Sequence, residues 1–274
     1  MDFGLSTHLF VEHRLSSHIL DQILGTGLSC IEIFAARQHF DYHDANHIRD
    51  VADWFEDHDV KLHSLHAPLY ADFDWGRSGR PAVSMTYLEK RQRIDSMEEI
   101  KRAIEVAERL PFSYLVLHLG VNNEEYSLAK FDAALTSLEH LKIYAKERGV
   151  QVLLENTPNE LSTPERLLQF IHYTRLDDLK ICFDTGHAHL GGGVRPAFQT
   201  LKHRIVCAHI HDNRGEKDDH LLPFEGGINW DQTILDFRAA DAQFPLLFEL
   251  RQQEGEATDL ARLREVMERM ESVH

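Results

Sequence analysis

The stretch CFDTGHAHL, residues 182–190, decides the fold. It begins as an apolar, strand-like run, stops on Asp184 and continues at once into Thr185, Gly186 and His187. An acid and an imidazole placed there mark the carboxyl end of a strand. The arrangement recurs on both sides. Apolar runs end on His66 in LHSLHAP (62–68), His118 in LVLHLG (115–120), Glu155 in VLLENT (152–157), His209 in AHIHDNRG (208–215) and Glu249 in LLFELR (246–251). KDDHLL (217–222) adds Asp218 and His220. Carboxylate and imidazole are the side chains that bind zinc, manganese and related divalent ions. Scattered in sequence but repeated at one structural position, these residues predict a metal site at one end of a barrel.

Working outward, strand and helix patterns alternate with little interruption. Strands are expected near 3–8, 30–35, 61–66, 114–119, 151–156, 179–184, 205–211 and 245–250. Helices are expected near 17–26, 45–58, 85–110, 128–148, 163–174, 196–203, 230–240 and 257–271. Ser162, Thr163, Pro164 and Glu165 supply a cap, a proline and an early acid for one helix. Asn229, Trp230 and Asp231 do the same for another, and Gly27 and Gly149 sit where helices should stop. Eight such units predict a parallel (β/α)8 barrel forming one domain over 1–274. In that fold the chemistry sits on the loops at the carboxyl ends of the strands. Side chains two apart on a strand share a face. Glu155 therefore goes with Leu153, Asp184 with Cys182, His209 with His211, and Glu249 with Leu247 and Arg251. Two long loops on the same end, 69–84 and 212–229, are expected to act as lids, the first carrying Trp75, Arg77 and Arg80.

Composition bounds the function. The chain has 274 residues, as expected for one barrel of about 250 residues, and 43% are apolar. Nothing approaches the ~20 apolar residues of a membrane span, and the start, MDFGLSTHLF, lacks the pattern of a signal peptide. Cys30, Cys182 and Cys207 form no CxxC pattern and sit in apolar runs. They read as buried free thiols, which favours the cytoplasm. The net charge of −16 argues against nucleic acid without excluding it. Bound divalent cations would add about +4 to +6 near the site by charge counting. Nineteen histidines fit a metal protein. His43, His47, His58, His140, His172 and His203 read instead as chance enrichment on helices.

The motifs HAP (66–68), HLG (118–120), ENT (155–157), DTGHA (184–188), HIHDN (209–213), DDHLLPFEGGINW (218–230) and FEL (248–250) resemble those of the xylose isomerase-like barrel superfamily. That superfamily contains endonuclease IV and the sugar-phosphate isomerases and epimerases. The resemblance covers about 3–250. It implies that Glu155, Asp184, His209 and Glu249 hold the single metal of the isomerases and epimerases, with the two glutamates also moving protons. It implies a second, endonuclease-type site at His66, His118 and Glu155, and a third at His187, Asp218 and His220. Two departures count against DNA. Leu69 stands where endonuclease IV has tyrosine, with Tyr70 one place later, and Asp219 stands where it has a basic residue.

Simpler roles stand beside these. Glu155, Asp184 and Glu249 would otherwise be a salt-bridge cluster, but three inward carboxylates repel without a cation. His209 would be a core imidazole, and His66, His118, His187 and His220 would bind substrate oxygens. His211 is expected one layer below the site, and Glu32 facing inward, pairing with a base. His8, Arg37, His187 and Arg251 are candidate substrate contacts, and His39 and Arg214 are further candidates for an anion. Gly191–Gly193 reads as a turn.

The sequence thus predicts a metal-dependent isomerase or epimerase of a small sugar or sugar phosphate, working through an enediolate with Glu155 and Glu249 as acid and base. It predicts one to three ions, Zn2+ or Mn2+, and leaves the oligomeric state open. The alternative is a zinc-dependent phosphodiester or phosphate hydrolase of the endonuclease IV type. A lyase and a non-catalytic binding barrel stand behind these two.

Overall fold

A computed structural model describes residues 1–252 and 260–274. Eight parallel strands close into a barrel in chain order, with the last pairing the first. They are β1 (Phe3–Ser6), β2 (Cys30–Phe34), β3 (Lys61–His66), β4 (Tyr114–His118), β5 (Gln151–Glu155), β6 (Lys180–Asp184), β7 (Ile205–Ile210) and β8 (Leu246–Phe248). Outside them lie α1 (Ser17–Leu24), α2 (Ala45–Asp57), α3 (Lys90–Glu105), α4 (Leu128–Lys146), α5 (Pro164–Thr174), α6 (Thr185–Leu190), α7 (Val194–Leu201), α8 (Trp230–Ala239) and α9 (Ala261–Ser272). This is the (β/α)8 architecture that the alternating pattern predicts. Among the described residues no helix is long and apolar enough to cross a membrane.

The barrel interior is packed. Cys30, Val116, Leu153, Cys182, Cys207 and Leu247 form one buried cluster inside the strands, and the three cysteines are free thiols. Leu5, Ile31, Leu65, Leu115, Leu154, Ile181 and Phe248 belong to the larger core between strands and helices. Leu153 therefore faces inward and Leu154 outward, as the two-residue parity requires. The register sets site residues side by side, His118 against Glu155 and Asp184 against His209.

Several boundaries differ from the sequence pattern, each for a local reason. The first strand ends at Ser6, and Thr7–Phe10 forms a 3-10 turn carrying His8. The Ser6 hydroxyl caps that turn at His8 N, and Thr7 Oγ1 accepts Phe34 N. The long helix starts at Lys90 rather than 85, because Glu89 caps Arg91 and Gln92 while Ser84 and Thr86 bond each other. It ends at Glu105, followed by a 3-10 turn, Val106–Glu108. α6 was not expected. Asp184 ends its strand and caps the helix, accepting His187 N at 2.6 Å. The eighth strand stops at Phe248, one residue before Glu249. Residues 257–259, the start of the last expected helix, lie outside the described residues. Thr163 and Asn229 cap α5 and α8 as expected, and Gly27 and Gly149 take φ of +82° and +74° beyond α1 and α4.

Candidate metal centre

Four residues from four successive strand ends converge. Glu155 ends β5, Asp184 ends β6, His209 lies on β7 and Glu249 follows β8. All four are buried, and one potential ligand atom from each lies within 4.8 Å of the others. His209 Nδ1 is 3.3 Å from Glu249 Oε2, 3.6 Å from Glu155 Oε2 and 3.9 Å from Asp184 Oδ2. Neither oxygen of Glu155, nor His209 Nδ1, has a hydrogen-bond partner among the described residues. Buried polar atoms are normally paired, so such a group needs an explanation. A divalent cation satisfies all of these atoms at once, and the N/O donor set suits zinc or manganese.

The electrostatics agree. Burial pushes the Glu155 carboxyl up, yet His118 and His209 hold it well below the usual range. Glu249 is held down in the same way, against its own burial, by His209. Burial lowers the His209 imidazolium, but Cys182, Glu32, Glu249 and Glu155 raise it well above the ordinary histidine value.

Two more groups flank this set. His66 and His118 bring their Nε2 atoms within 3.2 Å of each other, and those atoms lie 3.4 and 3.3 Å from Glu155 Oε2. On the other side stand His187, His211, Asp218 and His220, with ligand atoms mutually within 4.8 Å. Asp218 Oδ2 is 2.8 Å from His220 Nε2 and 3.3 Å from His187 Nε2. Burial raises the Asp218 carboxyl, but these two rings drive it far below the carboxylate range. The nine residues picked from strand ends thus come together at one face of the barrel. His211 joins the third group rather than lying apart from it. Its Nε2 contacts Asp184 Oδ2 at 3.1 Å, and its ring stacks on His220 at 4.0 Å. The signal for it was present in AHIHD, where residues 209 and 211 share a face.

A cavity of about 160 Å³ opens above these groups, lined by His8, Phe34, Trp75, Val121 and Arg251 together with His66, His118, Glu155, His187, Asp218, His220 and Glu249. His8 Nδ1 lies 3.0 Å from the Leu250 carbonyl. Burial first, and His220 next, lower its pKa to about 3. The neutral ring therefore donates to Leu250 and leaves Nε2 as an acceptor. Arg37 stands outside the cavity lining, bonded to Asp41 at 3.1 Å and to the Ala71 carbonyl at 3.3 Å. His39 is fully buried, with its ring nitrogens on His13 O and Thr7 Oγ1, so it is a structural residue rather than an anion contact. Arg214 is exposed and outside the lining. His47 is likewise not a surface residue, since it is buried between Leu15 O and Asp41 N. Sequence reasoning passed over Phe34, whose ring stacks on His66 at 4.6 Å. A larger cavity, about 760 Å³ between α1 and α9, brings no such cluster of acids and imidazoles together among the described residues.

The chain is thus a closed parallel barrel that carries a carboxylate–imidazole cluster at the carboxyl ends of its strands. The family model for xylose isomerase-like TIM barrels matches residues 20–272, and the chain belongs to that family. An uncharacterized protein, y4fM, of Sinorhizobium fredii is 32% identical over 169 residues, 58% of this chain. The match spans only 53% of that protein. A D-tagatose 3-epimerase-like protein superposes with a TM-score of 0.80 at 23% identity, covering 100% of this chain and 98% of its own. The IolI protein, whose structure contains a bound zinc atom, superposes with a TM-score of 0.79 at 18% identity over 99% and 96% of the two chains.

Proposed function

We propose that this chain is a divalent-metal-dependent isomerase or epimerase of a small sugar or sugar phosphate. The observation that carries the reading is the buried quartet Glu155, Asp184, His209 and Glu249, whose ligand atoms lie within 4.8 Å of one another, with both Glu155 oxygens and His209 Nδ1 lacking a hydrogen-bond partner among the described residues. Those four residues would hold the cation. When bound, it supplies Lewis-acid stabilisation of the negative charge that builds on adjacent substrate oxygens. Glu155 and Glu249 are both held as carboxylates at neutral pH, so each begins as a proton acceptor. One takes the proton from the carbon beside the carbonyl; the other takes up a proton from water and delivers it to the opposite face or to the neighbouring carbon, and the first then gives up its proton to water. His8 Nε2 accepts from a substrate hydroxyl. The indole N–H of Trp75, buried without a partner among the described residues, donates to another. Phe34 and Trp75, edge to face at 5.9 Å, keep water from the reacting carbon. The likeness to the D-tagatose 3-epimerase-like structure and to zinc-bearing IolI supports this reading.

The test is solvent exchange. Metal-replete protein incubated with a panel of ketoses and ketose phosphates in deuterated water should place label at one carbon. Glu249→Gln should slow that exchange by about 10²–10⁴-fold, the contribution of a positioned acid or base. No label on any substrate of a broad panel would sink the isomerase reading.

One observation favours a second reading, a metal-dependent phosphate or phosphodiester hydrolase. His66 and His118 on one side, and His187, Asp218 and His220 on the other, extend the quartet in the manner of a multi-metal site. Three tightly held zinc ions per chain with release of phosphate would decide for hydrolysis, whereas one exchangeable ion with solvent exchange would decide for isomerisation.

A further inference from the structure

Glu32 lies on β2, one layer inside the barrel from the quartet, and has no solvent exposure. A lone carboxylate at that depth is costly unless it is paired. Its partners are specific. Ser64 Oγ, whose Cα is in register with Glu32 across β2 and β3, donates to Oε2 at 2.7 Å. His209 Nε2 lies 3.1 Å from both carboxylate oxygens. A lone pair on Nε2 would face two anionic oxygens in a buried place, so Nε2 must carry hydrogen and donate it. The other ring nitrogen, Nδ1, is the one turned toward Glu155, Asp184 and Glu249 and left without a hydrogen-bond partner among the described residues. The pair Ser64–Glu32 therefore selects both the orientation and the tautomer of the imidazole. In metal sites a ligating histidine is commonly fixed in this way through its second nitrogen.

We propose that Glu32 is the positioning residue of the metal centre: it anchors His209 through Nε2–H and so presents Nδ1 as the ligand atom. Glu32 touches neither the cation nor the substrate. The inference rests on the metal reading of the quartet but not on the reaction assigned to it.

The test is metal binding, which is read without turnover. Metal-stripped protein is titrated with cobalt(II), and its visible ligand-field absorption is followed against a competing chelator. Glu32→Leu should weaken cobalt binding by about 10- to 100-fold, the range for loss of such a supporting partner, and should shift the absorption bands. Glu32→Gln retains a carbonyl oxygen that accepts the same N–H, so it should restore most of the affinity. Equal affinity in all three proteins overturns the proposal while leaving the metal reading intact. If the unaltered protein binds no cobalt, both fall.

A second measurement stands even if Glu32→Leu fails to fold. Zinc-loaded, unaltered protein labelled with nitrogen-15 at histidine should show His209 protonated at Nε2 and shifted by metal at Nδ1 in a long-range proton–nitrogen correlation. Metal at Nε2 overturns the assignment.

Discussion

His39 shows how much a single buried imidazole can change with pH. It has no exposure, and its two nitrogens are committed to His13 O and Thr7 Oγ1. Burial lowers its pKa to about 4 even though the backbone contacts with His13 and Phe10 pull the other way. The folded ring stays neutral as the unfolded one takes up a proton below about 6.5. The stability it contributes is therefore complete above pH 6.5 and is lost as the pH falls toward 4. The loss amounts to roughly 3 kcal/mol over that window. Urea denaturation of metal-free protein across pH 4–7 should show His39→Gln with a shallower dependence, by up to about 1.4 kcal/mol per pH unit. An unchanged slope would mean that the ring titrates freely in the native state. The sequence could not separate this histidine from the site histidines by residue type, because both kinds are buried. Strand-end position marked Glu155, Asp184, His209 and Glu249. His39 follows an irregular turn, where period and parity say nothing about direction. Glu32 was legible only as an inward acid with a base for partner. That the base is His209, three strands away around one side of the barrel and five around the other, is a property of the closed register alone.

Among the elements, the strands were legible because apolar runs ending on a charged residue carry both their extent and their polarity. The helix boundaries were less so. Side-chain caps such as Glu89 on Arg91 and Gln92 override the apolar period. α6 escaped notice because DTGHA serves two purposes, with Asp184 both facing the site and capping the helix. The length of the 69–84 loop gives the expectation of a lid, but its shape depends on backbone that the pattern does not encode. Trp75 takes φ +51° and Gly76 φ +81°. A Cβ on Gly76 would meet the Tyr70 ring at 2.7 Å. Asp72 Oδ1 accepts Gly76 N, which pins the turn. Together these hold the Trp75 indole edge-on to Phe34 and His8 at the mouth of the cavity. Gly76→Ala adds both the ring contact and a left-handed alanine, about 1–3 kcal/mol of local strain. The loop should shift rather than the barrel unfold. The expected result is a red shift of Trp75 fluorescence, faster proteolysis within 69–84 and KM raised by about tenfold or more, equal to roughly 1.4 kcal/mol. Barrel melting should change little. An unaltered KM with a displaced Trp75 would remove that residue from substrate binding.

Across the whole molecule, net charge separates the two functional readings better than the site does. The chain carries −16, and even three divalent cations, about +6 by charge counting, leave it strongly negative. A nucleic-acid hydrolase gains most of its affinity by neutralising backbone phosphates with lysine and arginine. Outside the cavity lining, three of those side chains are already engaged by acids. Arg37 pairs with Asp41 at 3.1 Å, Arg77 with Glu12 at 2.6 Å and Lys217 with Asp219 at 3.4 Å. A phosphodiester approaching the mouth would have to displace these carboxylates and cross a repulsive field that salt only partly screens. A small sugar meets neither obstacle, and a sugar phosphate brings a single phosphate rather than a polyanion. Anisotropy titration of a labelled abasic duplex at near-physiological salt should therefore show binding no tighter than the nonspecific range of about 10⁻⁴–10⁻⁶ M. That binding should be indifferent to Glu155→Gln, which removes a shared metal ligand. Submicromolar affinity, together with incision that requires metal and is lost in Glu155→Gln, would reverse the ranking and make phosphodiester hydrolysis the function of the centre.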